Sequence, residues 1–385
     1  MNKKKLVCYW SPFISNVATV KAVINSAMSI KLYSKNKYDA LILDVFGEWE
    51  SYSKCKDYNL NFYSLNNIKK LFNFSSEGYL RSRIKYLMIF ILSFNSLKKF
   101  MLKEKPEFFI VQLVTSLPLF LNLIYNFDTK IILRISGKPQ MNLIRYLFWK
   151  IALRKIFKIT FPTLESLEYF KDLKITDNKK LFLLYDPVFL IKDLIKKRKE
   201  PIDIDLNLKK DDYFLSIGRL TKQKNFIFLI NCFSKIIKEN TNTKLVIIGV
   251  GEEKNKIISY IKANKLENNI VLLGYQNNVY KFLNNCKAFI LSSLWEDPGF
   301  VLIEAMATNC LVLSSDCPNG PKEIIEDKNG LLFKSNSAND FFLKFNKLLE
   351  LNHKEKKIFK LNAKKKIKIF SIFNHFKEFQ KIILN

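Results

Sequence analysis

Residues 218–225 read Gly218-Arg219-Leu220-Thr221-Lys222-Gln223-Lys224-Asn225, directly after a short apolar run and directly before an amphipathic one. A strand-to-helix turn of this kind offers unpaired N–H groups and the positive end of a helix dipole, so Gly218, Arg219 and Lys224 could surround a diphosphate. Lys222 reads better as a solvated side chain. Residues 295–306 form the second such stretch, Trp295-Glu296-Asp297-Pro298-Gly299-Phe300-Val301-Leu302-Ile303-Glu304-Ala305-Met306. Glu296 stands at the mouth of a loop, and Glu304 stands about two turns into the apolar helix expected over 300–307. A carboxylate on that helix is costly unless paired, and ligand hydroxyls are suitable donors, with the amides of Gly299, Phe300 and Val301 free for a phosphate. Helix capping by Glu296 or Asp297, and an internal salt bridge for Glu304, are the competing readings.

Both stretches need a scaffold that brings strand ends together. Short β-rich runs at 213–217, 245–249, 270–273, 288–291 and 311–314 alternate with amphipathic helices, the pattern of a parallel sheet covered on both faces. Residues 225–239 place Phe226, Leu229, Ile230, Phe233, Ile236 and Ile237 on one helical face, and 252–265 does the same with Ile257, Ile258 and Ile261. The first half repeats the alternation, with strands expected at 6–9, 40–45, 109–113, 130–135 and 158–161 and helices at 20–33, 82–102 and 143–156. The expected organisation is α/β: an N-terminal Rossmann-like domain over 1–195, a linker over 196–212, a C-terminal Rossmann-like domain over 213–369, and a C-terminal helix at 370–385 returning to the first domain. Two such domains would face a cleft, where open α/β sheets bind ligands beyond the carboxyl ends of their strands.

Composition narrows the chemistry. Lys and Arg number 64 against 35 acids, for a net charge of +29, but only seven of the basic residues are Arg. Base-reading proteins favour the planar fork of Arg, and the charge has no concentrated tail, so no nucleic-acid partner is expected. His353 and His375 are the only histidines, and Cys8, Cys55, Cys232, Cys286, Cys310 and Cys317 show no CxxC spacing. A zinc site or a His-based triad is therefore not expected, and the cysteines read as reduced core residues of a reducing compartment. Asp203-Ile204-Asp205 could pass for a D-x-D metal site, yet it falls in the linker rather than at a strand end. The apolar run at 6–10 is too short for a signal peptide, and 108–125 is too polar for a membrane span.

Glu296 and Glu304, separated by seven residues, resemble the E-x7-E motif of retaining glycosyltransferases of the GT-B fold, family 4. Gly218-Arg219-Leu220 with Lys224 looks like that family's phosphate loop, and Gly249-Val250-Gly251-Glu252 resembles its next strand-turn-helix. The order continues through Ser315-Asp316-Cys317-Pro318-Asn319-Gly320-Pro321-Lys322-Glu323 to an expected turn at Asn329-Gly330-Leu331-Leu332. The resemblance implies that Glu296 contacts the transferred sugar, that Glu304 binds the nucleotide ribose, and that Arg219 and Lys224 neutralise the leaving diphosphate with the Gly299 and Phe300 amides. It implies a UDP- or GDP-linked sugar as co-substrate, with no metal and no other cofactor. Trp10-Ser11-Pro12 and Asn25-Ser26-Ala27 look like a subgroup acting in bacterial surface polysaccharide or lipopolysaccharide assembly, on a lipid-linked saccharide acceptor.

Many relatives carry a Gly-rich loop after the first strand, where this chain has Trp10-Ser11-Pro12-Phe13-Ile14-Ser15-Asn16. Ser15, Asn16 and Lys21 are the substitutes available there. Residues 129–158 hold Lys130, Arg134, Lys138, Arg145, Lys150, Arg154, Lys155 and Lys158 and no acid. Lys150, Arg154 and Lys158 at i, i+4 and i+8 would share one helical face, which suits an anionic membrane surface or a lipid-diphosphate acceptor, and equally an ordinary solvated face. The expected place of work is the cytoplasmic, inner face of the cell membrane. The alternatives are an epimerase or phosphorylase on the same fold, and a non-catalytic basic protein that coats membrane or nucleic acid.

Overall fold

The computed structural model describes residues 4–13, 18–53, 59–66, 79–139, 141–202, 210–326 and 328–384. The chain divides into two compact units, Met1–Val188 with Ile372–Asn385, and Phe189–Ser371. The change of unit at Val188 and Phe189 comes ahead of the stretch 196–212, of which 203–209 lie outside the described residues.

The first unit is built on one parallel sheet of seven strands: β1 (Lys5–Trp10), β2 (Tyr38–Asp44), β3 (Asn61–Ser64), β4 (Phe108–Val111), β5 (Lys130–Arg134), β6 (Lys158–Phe161) and β7 (Leu181–Leu183). Their order is β3-β2-β1-β4-β5-β6-β7. The second unit has six parallel strands: β8 (Tyr213–Ile217), β9 (Lys244–Ile248), β10 (Ile270–Leu272), β11 (Ala288–Leu291), β12 (Val312–Ser315) and β13 (Leu331–Phe333), ordered β10-β9-β8-β11-β12-β13. The inner strands are near-continuous apolar runs, as strands covered on both faces must be; every residue of β4, β8, β11 and β12 is buried.

In each unit the chain winds outward from a central strand in one direction and then returns to wind in the other. The reversal lies between β1 and β4 in the first unit and between β8 and β11 in the second. Connections leaving two neighbouring strands in opposite directions open a crevice at their carboxyl ends. The loops singled out in the sequence, after β8 and after β11, are the two that border the crevice of the second unit.

The elements depart from expectation in three places. The edge strands β3, β7 and β13 are additional, and β13 occupies part of the stretch expected as a turn at 329–332. The helix expected over 143–156 stops at Ala152 and gives way to a 3-10 turn, Leu153–Lys155. Leu153 and Ile156 must both enter the core, and Lys158 already pairs with Ile132 in the sheet, so too little chain is left for another helical turn. The third departure follows: Lys158 does not share a helical face with Lys150 and Arg154. It begins β6, its Nζ donates to the carbonyl of Ile382, and partial burial lowers its pKa.

Candidate active site

The loop after β8 is held by its neighbour. Gly218 N donates to Ile248 O at 3.0 Å, Leu220 N to Val250 O at 2.9 Å, and Glu253 N to Leu220 O at 2.9 Å. A Cβ at Gly218 would stand 3.0 Å from Cδ and Cε of Lys224, so the flexible stem that lies across the loop would have to shift by a few tenths of an ångström to admit one. A 3-10 turn, Lys222–Lys224, then leads through Asn225 in the left-handed region to the helix Phe226–Glu239. Arg219 is exposed, and no side chain among the described residues is hydrogen-bonded or ion-paired to it.

The loop after β11 is fastened on two sides. Leu294 N donates to Gln223 O at 2.8 Å and Gln223 Nε2 returns a bond to Trp295 O at 2.8 Å, which ties it to the loop after β8. Glu296 N donates to Pro318 O at 3.0 Å, which ties it to the loop after β12. Gly320, at φ +138°, allows this approach, since a Cβ there would lie 1.9 Å from the carbonyl oxygen of Pro298.

These fastenings bring Lys224 and Glu296 together across 72 residues of sequence. Lys224 Nζ donates to Glu296 Oε1 at 2.5 Å, and Ser293 Oγ donates to the same oxygen at 2.5 Å. Glu296 is 4% exposed, so its charge is kept in a poorly hydrated place by one cation and one hydroxyl. With Oε1 taken by both donors, Oε2 is the oxygen left to accept a ligand hydroxyl. Lys224 thus stands on the carboxylate, while Arg219 stands in solvent.

Glu304 lies on the helix Phe300–Ala307 and is also buried. Tyr280 OH donates to its Oε1 at 3.2 Å. The helix starts at Gly299, and its first intrahelical bond runs from Leu302 N to Gly299 O at 3.0 Å, so the amides of Phe300 and Val301 precede the ladder. The structure therefore gathers Gly218, Lys224, Glu296, Gly299, Phe300, Val301 and Glu304 on the two crevice loops and the helix that follows. It adds Ser293, Gln223 and Tyr280, to which the sequence reading gave no role. Ser293 had a local signal, three residues before Glu296; Tyr280 had none, because its contact bridges 24 residues.

The candidates of the first unit scatter. Ser15 and Asn16 lie outside the described residues, and Lys21 is half-buried in the first turn of the helix Ala18–Tyr33. Arg134 is no surface cation: it is 6% exposed, its Nε donates to Asp186 Oδ1 at 2.8 Å, Nη2 pairs with Oδ2 of the same carboxylate, and Nη1 donates to Ser136 Oγ. Lys138 pairs with Glu165 at 2.8 Å. Lys150 and Arg154 are exposed. Asn25 and Ser26 have structural partners, Asn25 Nδ2 donating to Pro187 O at 2.8 Å and Ser26 Oγ lying 2.9 Å from both Tyr9 OH and His375 Nε2. Cys8, Cys232, Cys286, Cys310 and Cys317 are buried and unbridged, and Cys55 lies outside the described residues. Among the described residues no group of three or more His, Cys, Asp or Glu is placed to hold a metal ion, and no helix is long and apolar enough to cross a membrane. Asp203 and Asp205 lie outside the described residues.

Residues 198–366, almost the whole second unit, match the family described as glycosyl transferases group 1. An uncharacterized glycosyltransferase of Methanocaldococcus jannaschii is 43% identical over 140 residues, 36% of this chain and 34% of that one. The N-acetylgalactosamine-N,N'-diacetylbacillosaminyl-diphospho-undecaprenol 4-alpha-N-acetylgalactosaminyltransferase of Campylobacter jejuni is 35% identical over 193 residues, 50% of each chain. The match thus spans half or less of either relative. Among solved structures, Anabaena HepE in complex with UDP and glucose superimposes over 100% of both chains with a TM-score of 0.74 at 14% identity, a likeness of fold. The crevice loops and both carboxylates fall inside the matched residues, and the two parallel-sheet units are those of the GT-B fold; within its second unit, the chain is similar to the glycosyl transferases group 1.

Proposed function

We propose that the chain is a retaining glycosyltransferase, independent of metal, that moves a sugar from a UDP- or GDP-linked donor to a lipid-linked glycan in bacterial surface polysaccharide or lipopolysaccharide biosynthesis. The observation that carries this reading is the buried Glu296 carboxylate, fixed by Lys224 and Ser293 at the β8/β11 crevice beside the unpaired Arg219. In the reaction the bond from the sugar's anomeric carbon to the diphosphate oxygen breaks and a bond to the acceptor oxygen forms on the same face. The acceptor's proton passes to the departing phosphate. Such a step needs charge stabilisation on the leaving group and orientation of two substrates rather than a strong base.

Each residue then has a task. Arg219 and the amides of Phe300 and Val301 take the diphosphate, Lys224 shares its charge between phosphate and Glu296, Glu296 Oε2 orients a hydroxyl of the transferred sugar, and Glu304 with Tyr280 takes the ribose. The Campylobacter relative acts on a diphospho-undecaprenol glycan by name, which supports a lipid-linked acceptor. A place at the inner face of the cell membrane is supported by the helix Leu143–Ala152, which exposes Leu143, Ile144, Leu147 and Ile151 beside Lys150.

The test is a donor screen. UDP-, GDP- and ADP-sugars are offered with a lipid-linked glycan fraction, following release of nucleoside diphosphate and the anomeric configuration of the product. One UDP- or GDP-sugar should be turned over with retained configuration, with and without EDTA. An inverted product would remove the retaining assignment. Turnover lost in EDTA and restored by Mg²⁺ or Mn²⁺ would remove the cationic handling of the diphosphate.

A further inference from the structure

The second unit places two thiols against each other at the end of the sheet opposite its crevice. Cys286 caps the carboxyl end of the helix Tyr280–Asn285 and stands just before β11, and Cys310 stands just before β12. These strands are parallel neighbours in the register Phe289–Val312, so both cysteines come at the amino ends of adjacent strands. Their Sγ atoms lie 3.2 Å apart, and each residue is 5% exposed. Main-chain bonds pin both joints: Cys286 N donates to Phe282 O at 3.0 Å, Cys310 N to Ala305 O at 3.1 Å, and Phe289 N to Leu311 O at 2.9 Å. The sulfur contact is therefore held by the register of the sheet.

Burial first, and the hydrogen bond with Cys310 second, push the Cys286 thiol well above its ordinary range. Little thiolate is present, so the pair rests reduced. A peroxide, small enough to enter a close-packed interior, changes this state. One sulfur, as thiolate, attacks a peroxide oxygen; the O–O bond breaks and leaves a sulfenic acid and a water. The second thiol attacks that sulfur, the S–S bond forms, and the oxygen departs as a second water. The two thiols together lose two electrons and two protons, and the peroxide gains both. The second step is intramolecular between groups already in contact, so it outruns further oxidation to sulfinic acid.

We infer that Cys286 and Cys310 are a disulfide-forming site closed by peroxide, a covalent latch across the amino ends of β11 and β12. The loop it closes contains β11, the turn bearing Glu296 and the helix bearing Glu304, which is the segment that builds one side of the crevice. Joining residues 24 apart in sequence removes freedom from the unfolded chain, so this segment opens less often. The sulfurs lie at the opposite ends of the strands from the crevice. The latch accordingly leaves the site's side chains where they are, and its effect is endurance rather than altered chemistry. None of this depends on what the crevice binds.

The test uses the full chain, reduced, freed of reductant and exposed to hydrogen peroxide. Peptide mapping without reductant should find Cys286 joined to Cys310, with the linked peptides two hydrogens lighter than the separate pair. Thermal unfolding should rise by roughly 5–10 °C on oxidation and return when dithiothreitol is added. Hydrogen exchange over 287–309 should slow in the oxidised chain. Cys286→Ser and Cys310→Ser, each close to isosteric, should abolish the cross-link and the rise, whereas Cys232→Ser, at a buried thiol outside the pair, should keep both. Sulfinic acid at Cys286 or Cys310 in place of the cross-link overturns the inference. So does a cross-link that leaves unfolding and exchange unchanged, or a rise that persists in both Cys286→Ser and Cys310→Ser.

Discussion

Glu296 is the residue on which the site turns, because its burial makes it depend on what surrounds it. Lys224→Met removes the cation from a carboxylate that is 4% exposed and leaves Ser293 as its donor. Breaking a buried pair from one side costs about 3 kcal/mol or more, so thermal unfolding should shift down by roughly 5–10 °C and turnover should fall with it. Glu296→Gln is close to isosteric and removes the charge; it should abolish most turnover while donor binding stays within a few-fold. Retained turnover in that variant, measured at saturating donor, would remove Glu296 from the chemistry. Of these residues, Glu296, Arg219 and Lys224 were legible because they sit in loops at strand ends, where a polar residue has no structural duty in a parallel sheet, and Glu304 because a carboxylate stands out on an apolar helix. Tyr280 was not, since it matters through a contact between two helices.

At the scale of elements, the loops after β8, β9, β11 and β12 act as one clamp, joined by backbone bonds and by the side chains of Gln223, Lys224 and Ser292. Gly320→Ala would put a Cβ where the Pro298 carbonyl now sits, at a φ that L-residues avoid. It should cost more than about 1 kcal/mol of stability and raise the donor KM by displacing Glu296, while leaving the first unit's unfolding unaltered. The central strands were readable as apolar runs, whereas β3, β7 and β13 are edge strands of three or four residues that bury too little to leave a pattern. The end of the helix at Ala152 was masked by a basic spacing that runs on across the 3-10 turn. Lys158→Glu should accordingly destabilise the first unit, through its lost bond to Ile382, without releasing the protein from anionic vesicles. Charge reversal at the exposed Lys150 and Arg154 should weaken vesicle sedimentation at low salt, each cation near the surface being worth about 1 kcal/mol.

Over the whole molecule, His375 shows how the last residues complete the first unit. Buried among Ser26, the Tyr185 carbonyl and the Arg134–Asp186 pair, it is held neutral, its pKa lowered to about 4 by desolvation. The unfolded chain takes up that proton near pH 6.5 and the folded one only near 4. The stabilisation is therefore whole above about pH 6.5 and is lost as pH falls toward 4, about 3 kcal/mol across the window. Thermal unfolding followed from pH 7 to 4 should fall steeply in the parent and less so in His375→Gln. Nothing in the sequence marked that pairing, because His375 and Ser26 are 349 residues apart. The claim on which the proposed function depends is that the β8/β11 crevice of the second unit takes a nucleoside diphosphate. Calorimetric titration of UDP and GDP into the full chain and into Arg219→Ala tests it most directly. The expected result is one site per chain in the parent, weakened about ten- to a hundredfold in the variant, as befits a charge-assisted phosphate contact, with unfolding temperatures equal because Arg219 is exposed. Equal affinity in parent and variant, or no binding of either nucleotide to the parent, would contradict it.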